Sequence, residues 1–138
     1  MYNEILLRHH RNPCGYGLPD NPTQVAEGTN ARCGDEVVVG IRLEEGRIAQ
    51  AGFEAQACAV TRSSASLMIQ GILGLSSSEA ERVTAELHES LHSSASEDPD
   101  GISGEARVLT QFRHYPDRKD CVLLPWRALT QALKKGRS

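Results

Sequence analysis

The chain has no excess of positive charge: 15 Lys and Arg stand against 18 Asp and Glu, for a net charge of −3. Binding to a phosphate backbone needs concentrated basic charge, so nucleic acid is excluded as the main partner. No apolar run approaches the roughly 20 residues a helix needs to cross a bilayer, and no membrane role is expected. The start, Met1-Tyr2-Asn3-Glu4, begins directly in a helical pattern without the charged-then-apolar layout of a signal peptide, so a cytoplasmic location is expected. There is no glycine-rich phosphate loop, since Gly71 and Gly74 form no such motif. No C-x-x-C pair occurs, which sets the chain apart from zinc ribbons and fingers. No histidine stands in an obvious activating motif, which makes a cysteine-nucleophile hydrolase or transferase the weakest functional class. Internal repeats are also missing.

What is present suits one compact domain over residues 1–138. A chain of 138 residues buries roughly two-thirds of the surface its unfolded form exposes, so neither disulfides nor a metal are needed merely to make a core. Tyr2, Ile5, Leu6 and His9 fall at i, i+3, i+4 and i+7, the spacing of a short amphipathic helix that Asn12-Pro13 stops. Thr23–Gly28 reads as a first strand. Val37, Val39, Ile41 and Leu43 alternate with their neighbours as a half-buried strand does, and Glu45-Gly46 is a plausible hairpin turn. Ala49, Ala51, Phe53, Ala55 and Ala57 form the inward set of a returning strand. Beyond Cys58 the period changes: Ala65, Met68, Ile69 and Ile72 share one helical face, and Ser63, Ser64 and Ser66 keep that helix slim.

Ser76 with Glu79 has the form of a capping box opening a helix lined by Ala80, Val83, Leu87 and Leu91. Ser93–Gly104 is rich in turn formers and acidic residues and reads as an exposed loop. Val108, Leu109 and Phe112 mark another short helix ending before Pro116. Val122, Trp126, Leu129 and Leu133 line a C-terminal helix carrying Cys121 near its start, which Pro125 either kinks or enters within the first turn. The expected fold is α+β, a small antiparallel sheet of about three strands with helices packed on one face.

The chemistry centres on Asn30-Ala31-Arg32-Cys33-Gly34-Asp35. In extended backbone, side chains at i and i+2 point the same way, so Cys33 and Asp35 could face one cation across Gly34. Cys58 and Cys121 lie at the edges of helices, and the four residues are expected to meet. Four cysteines at wide spacing could also form two disulfides, although in a reducing compartment they more often bind metal, react or sit buried. Three thiolates and a carboxylate suit tetrahedral zinc, and soft sulfur ligands also suit iron–sulfur clusters. Spacing alone leaves metal binding open.

Several segments then fall together in one order. They are His10-Arg11-Asn12-Pro13, Asn30 with Cys33-Gly34-Asp35, Phe53 through Val60 leading into Ser63–Met68, and Phe112 through Cys121 with Leu124-Pro125-Trp126. Over nearly its whole length the chain resembles the iron–sulfur cluster scaffold family, the IscU/NifU N-terminal-like proteins, and most closely the SufU type. Like that type it has an insertion before the last cysteine segment (Ser93–Gly104) and no histidine immediately before that cysteine, where Asp120 stands. It departs from the family in having Ala31 for the usual proline and Ala57 for the usual glycine.

The resemblance implies a SufE/NifU-like fold. It further implies that Cys33, Asp35, Cys58 and Cys121 ligate zinc or hold a transient cluster of the 2Fe–2S kind. A SufS-like cysteine desulfurase would donate persulfide sulfur, and downstream iron–sulfur assembly or acceptor proteins would receive the product. Such a protein is a sulfur acceptor, possessing at most a zinc-dependent sulfurtransferase activity, rather than a conventional turnover enzyme. Cys33 is the expected acceptor, because Gly34 leaves its surroundings open. A protein-interaction module with a purely structural zinc is the alternative.

Other candidates read more plainly. Cys14 matches no family ligand and is expected to be a surface or half-buried free thiol. His88 and His92 have a spacing that can bind metal, but without acidic or cysteine partners they are expected on a solvated face. His9 and His10 read as helix-end residues, His114 as a fallback ligand, and Met68 and Trp126 as core. Arg118 and Lys119 read either as partners of the anionic site or as a solvated charge cluster.

Overall fold

The computed structural model describes residues 4–30, 34–92, 102 and 104–135. Its elements run α1 (Glu4–Arg11), β1 (Gln24–Asn30), β2 (Asp35–Glu44), β3 (Arg47–Gln56), α2 (Ala59–Ile72) and α3 (Ser77–His92). Two 3₁₀ segments, Gly104–His114 and Pro116–Arg118, lead into α4 (Lys119–Lys135). Among the described residues the sheet has three antiparallel strands in the order β1-β2-β3, and α2 and α4 pack on one face of it. This is the expected α+β arrangement. Of the loop expected over 93–104, all but Ile102 and Gly104 lies outside the described residues.

Local sequence accounts for the sheet. Val37, Val39 and Ile41 are buried on its inner face, as the alternation requires. Glu45 and Gly46 make the hairpin turn, both with positive φ (54° and 78°), which matches the twist of the flanking strands. The returning strand departs from expectation in one place. Arg42 pairs with Gln50 but Leu43 with Ile48, so Ala49 is an extra residue in a bulge. The bulge reverses the alternation, burying Ile48 completely and exposing Ala49, which the simple period-2 pattern had placed inward.

The edges of the sheet are managed. Tyr16 bridges Phe53, with Gly17 N–H donating to the Phe53 carbonyl (2.7 Å) and Phe53 N–H to that of Gly15 (2.9 Å). Near the other end of β3, Ile48 N–H donates to Leu75 and Gly74 N–H to Ile48. On β1, the Lys135 ammonium donates to the Val25 carbonyl (2.7 Å).

Helix α2 is buried almost all round, and its serines do more than save space. Ser63 Oγ donates to the Leu6 carbonyl (3.1 Å) and Ser64 Oγ to that of Val122 (2.6 Å), while Trp126 Nε1 donates to Ser64 Oγ (3.0 Å). The third serine, Ser66, accepts from Cys14 N–H (2.7 Å) and shares a hydrogen bond with His9 Nδ1 (2.6 Å). His9 lies in the last turn of α1, as expected of a helix-end residue, but its side chain is buried, 2 % exposed, with its Nε2–H donated to Glu105 (3.0 Å). Glu105 also accepts from Arg8 and from Gln70, tying α1, α2 and the long 3₁₀ segment together. The capping box is present as expected, Glu79 N–H donating to Ser76 Oγ (3.1 Å) and Ser76 N–H to Glu79 (3.0 Å).

Two outcomes follow for stability. The bond from Arg8, then those from His9 and Gln70, hold the Glu105 carboxyl down to about 2 from an ordinary 4.5. A carboxyl with a depressed folded-state pKa contributes stability above 4.5 and loses it as pH falls toward 2. Denaturant titrations from pH 6 to pH 2 should therefore show Glu105→Gln losing less stability across that window than wild type; equal losses would count against the linkage. Ser64→Ala leaves the buried Trp126 indole N–H without its acceptor, and chemical denaturation should show a loss of about 1–3 kcal/mol.

Candidate metal centre

Asp35 opens β2 directly opposite Asn30, at the end of the sheet where β3 runs out into Cys58. Cys58 sits at the N-cap of α2 with extended backbone (φ −67°, ψ 167°). Cys121 lies in the first turn of α4, which packs against α2 and carries that thiol into the interior. The three side chains converge: one donor atom from each of Asp35, Cys58 and Cys121 lies within 4.8 Å of the other two. Asp35 is 3 % exposed and Cys121 fully buried, while Cys58 is half-buried and forms the accessible side. Cys33 lies outside the described residues. Gly34, which follows it, has φ +71° and nothing within 4 Å of where a Cβ would stand, as the expectation of an uncrowded glycine requires.

The carboxylate is held at the start of α2. Asp35 Oδ1 accepts from Cys58 N–H (2.9 Å), and Oδ2 accepts from the Thr61 hydroxyl (3.0 Å). Cys58 makes no cap hydrogen bond with its own side chain, so an acidic group from the sheet serves this helix terminus, where the positive end of the helix dipole favours it. Cys58 Sγ lies 3.6 Å from Asp35 Oδ2 and 3.4 Å from Thr61 Oγ1. Around tetrahedral zinc, metal–ligand lengths near 2.0–2.3 Å put a thiolate and a carboxylate oxygen about 3.5 Å apart, so this pair stands at a separation an ion can bridge once Oδ2 turns from Thr61 toward it. Thiolate and carboxylate donors are also a set that zinc accepts. Asp35, Cys58 and Cys121 would hold such an ion together.

Thr61 was not among the residues singled out from sequence. It is fully buried and touches two of the donors, Asp35 Oδ2 and Cys58 Sγ, and its Oγ1 lies 3.1 Å from the backbone carbonyl oxygen of the third residue, Cys121. The signal that could have found it is Pro125. A helical carbonyl bonds the N–H four residues on, and Pro125, four residues after Cys121 and inside α4, has none to offer. A hydroxyl from the neighbouring helix takes that place.

The remaining candidates lie elsewhere. Cys14 is half-buried, as expected, and is engaged through its backbone N–H with Ser66. His88 and His92 are exposed, as expected, but stacked with ring centroids 4.5 Å apart, and His92 Nδ1–H donates to the His88 carbonyl (2.9 Å). Burial, then His92 and Arg127, pushes the His88 imidazole below its ordinary value. His114 is exposed next to Arg113 and belongs to no group of metal-ligating side chains found among the described residues. Met68 and Trp126 are core. Asp120 does not add its charge to the centre: it is half exposed and pairs with Arg127 (3.3 Å) on the same helix.

Comparison with known proteins agrees with this geometry. The chain is 32 % identical over 136 residues to the iron–sulfur cluster assembly scaffold protein IscU of Thermotoga maritima, covering 98 % of this chain and 94 % of the relative. It is 26 % identical over 135 residues to the zinc-dependent sulfurtransferase SufU of Bacillus subtilis, covering 98 % and 90 %. Its fold superposes with a TM-score of 0.87 and 29 % identity on a candidate iron–sulfur cluster assembly scaffold protein for the SUF system from Fervidobacterium islandicum, covering 96 % of each chain. The family model described as the NifU-like N-terminal domain matches residues 1–136. With nearly the whole chain matched and an open three-stranded sheet presenting its donors at one end, the protein belongs to the NifU-like N-terminal domain family.

Proposed function

We propose that this protein is a scaffold of iron–sulfur cluster assembly that acts as a zinc-dependent sulfur acceptor, taking persulfide sulfur from a SufS-like cysteine desulfurase in the cytoplasm. The single observation carrying this reading is the convergence of Asp35, Cys58 and Cys121, residues far apart in sequence, within 4.8 Å of one another. The likeness to IscU and SufU over nearly the full chain supports it. No helix among the described residues is long and apolar enough to cross a membrane.

Cys33 completes the set as the fourth donor and the sulfur acceptor. It precedes Asp35 by two residues and is therefore tethered to the centre by the covalent chain. In the transfer, the Cys33 thiolate attacks the outer sulfur of the desulfurase persulfide. A new S–S bond forms on Cys33, and the donor cysteine leaves as a thiolate, with no net oxidation. A bound zinc ion supplies electrostatic stabilisation of thiolates at neutral pH, the form in which cysteine is nucleophilic. Buried Asp35 and Cys121 fix the inner side of the centre, while half-buried Cys58 and the open space at Gly34 leave its outer side accessible to a donor or to an assembling 2Fe–2S cluster. A hard carboxylate among soft thiolates is the ligand suited to give way during exchange, and downstream acceptor proteins would collect the product.

Metal analysis of the purified chain should give one zinc per protein, falling below a fifth of that in Cys58→Ser or Cys121→Ser. The same wild-type protein should raise desulfurase turnover several-fold; bound zinc with no effect on turnover would instead identify an interaction module with a structural ion. Mass spectrometry after incubation with desulfurase and cysteine should find a gain of one sulfur on wild type and none on Cys33→Ser. A persulfide retained by that variant would move the acceptor role to another cysteine.

A further inference from the structure

We infer that Thr61 is a positioning residue for the metal centre, its one hydroxyl proton passing between the Asp35 carboxylate and the Cys121 carbonyl according to whether Asp35 is drawn onto an ion. The inference rests on the metal-binding reading above and assigns a role to a side chain that is not itself a ligand.

Thr61 stands at the third position of α2 and is fully buried, so no bulk water competes for its hydroxyl. Its Oγ1 is 3.0 Å from Asp35 Oδ2 and 3.1 Å from the Cys121 carbonyl oxygen. Both are acceptors, and a threonine hydroxyl carries one proton. The two bonds therefore compete. Cys58 Sγ, 3.4 Å away, can donate to Oγ1 as a thiol when no ion is bound, but not as a metal-bound thiolate.

The competition exists because of Pro125. With any other residue at that position, its backbone N–H would serve the Cys121 carbonyl, and Thr61 would be left to Asp35 alone. With proline there, each acceptor gains the proton when the other gives it up. When Oδ2 turns to a cation it can relinquish the Thr61 bond, and the proton then strengthens the contact to the carbonyl. When the carboxylate returns, Cys58 N–H and Thr61 again hold it at the start of α2. Thr61 thus gives the Asp35 carboxylate a hydrogen bond to return to when it leaves the ion, at the expense of the contact to the Cys121 carbonyl.

The test is zinc release from the full-length, zinc-loaded chain to a chromogenic chelator at neutral pH. Thr61→Val removes the proton that holds the carboxylate in its off-ion position, so release should slow roughly tenfold, within the range of a hydrogen bond to a charged group. Thr61→Ser should restore the wild-type rate. Pro125→Ala supplies the helical N–H and commits the Thr61 proton to Asp35, so release should quicken severalfold, and that quickening should vanish in the Thr61→Val, Pro125→Ala double variant. If Thr61 merely braced Asp35 for ligation, Thr61→Val would release zinc faster, since losing such support commonly costs 10–100-fold in metal affinity. Faster release, or rates unchanged in Thr61→Val, would overturn the inference while leaving the metal centre in place. A wild-type chain that takes up no zinc would overturn both.

Discussion

The bond from Cys58 N–H to the Asp35 carboxylate joins the two halves of the molecule. One partner is the first residue of the central strand, the other the first unit of the central helix. Because Asp35 takes the place of a cap from α2's own sequence, strand and helix must begin at the same point in space. That coincidence puts two donors of the centre on rigid elements and leaves the third to α4. A site assembled from element ends has precise geometry on its buried side and room on its outer side.

The second constraint is the crowding of α2. A helix enclosed by α1, α4, the sheet and a 3₁₀ segment cannot carry long side chains on every face. Small residues solve the packing, but buried hydroxyls need partners. Each of Thr61, Ser63, Ser64 and Ser66 finds one on another element: Asp35, Leu6, Val122 and His9 respectively. The helix is thus fastened laterally by hydrogen bonds spaced along its length as well as by apolar contact. Its first turn, which carries the chemistry, belongs to the same fastening pattern as its middle.

Features with a short-range cause were legible in the sequence. Val37, Val39 and Ile41 alternate because one face of β2 is buried, and Ser76 with Glu79 caps α3 through groups three residues apart. The three described members of the centre were legible as residue types at positions shared with a known family, not from spacing. What sequence did not disclose depends on contacts between distant elements. Ala49 looks like a core position until the pairing of Arg42 and Leu43 shows the bulge. His9 stands at a helix end as read, but its burial is disclosed only by Ser66 and Glu105 on either side of its ring. Thr61 looks like one more small residue, because its partners come from β2 and α4 and one of them is made available by a proline 64 positions away.

The treatment of the sheet's rims carries a consequence for how copies of this chain meet. A three-stranded ribbon would ordinarily offer two templates on which a neighbour could continue the ladder. Here the Tyr16 segment and the Leu75 turn occupy stretches of one rim, and a lysine ammonium rests on a carbonyl of the other, where any incoming strand would have to dislodge a hydrated charge. Self-association by sheet growth is thereby disfavoured along both rims, which leaves the end of the sheet that carries Asp35 as the open part of its outline.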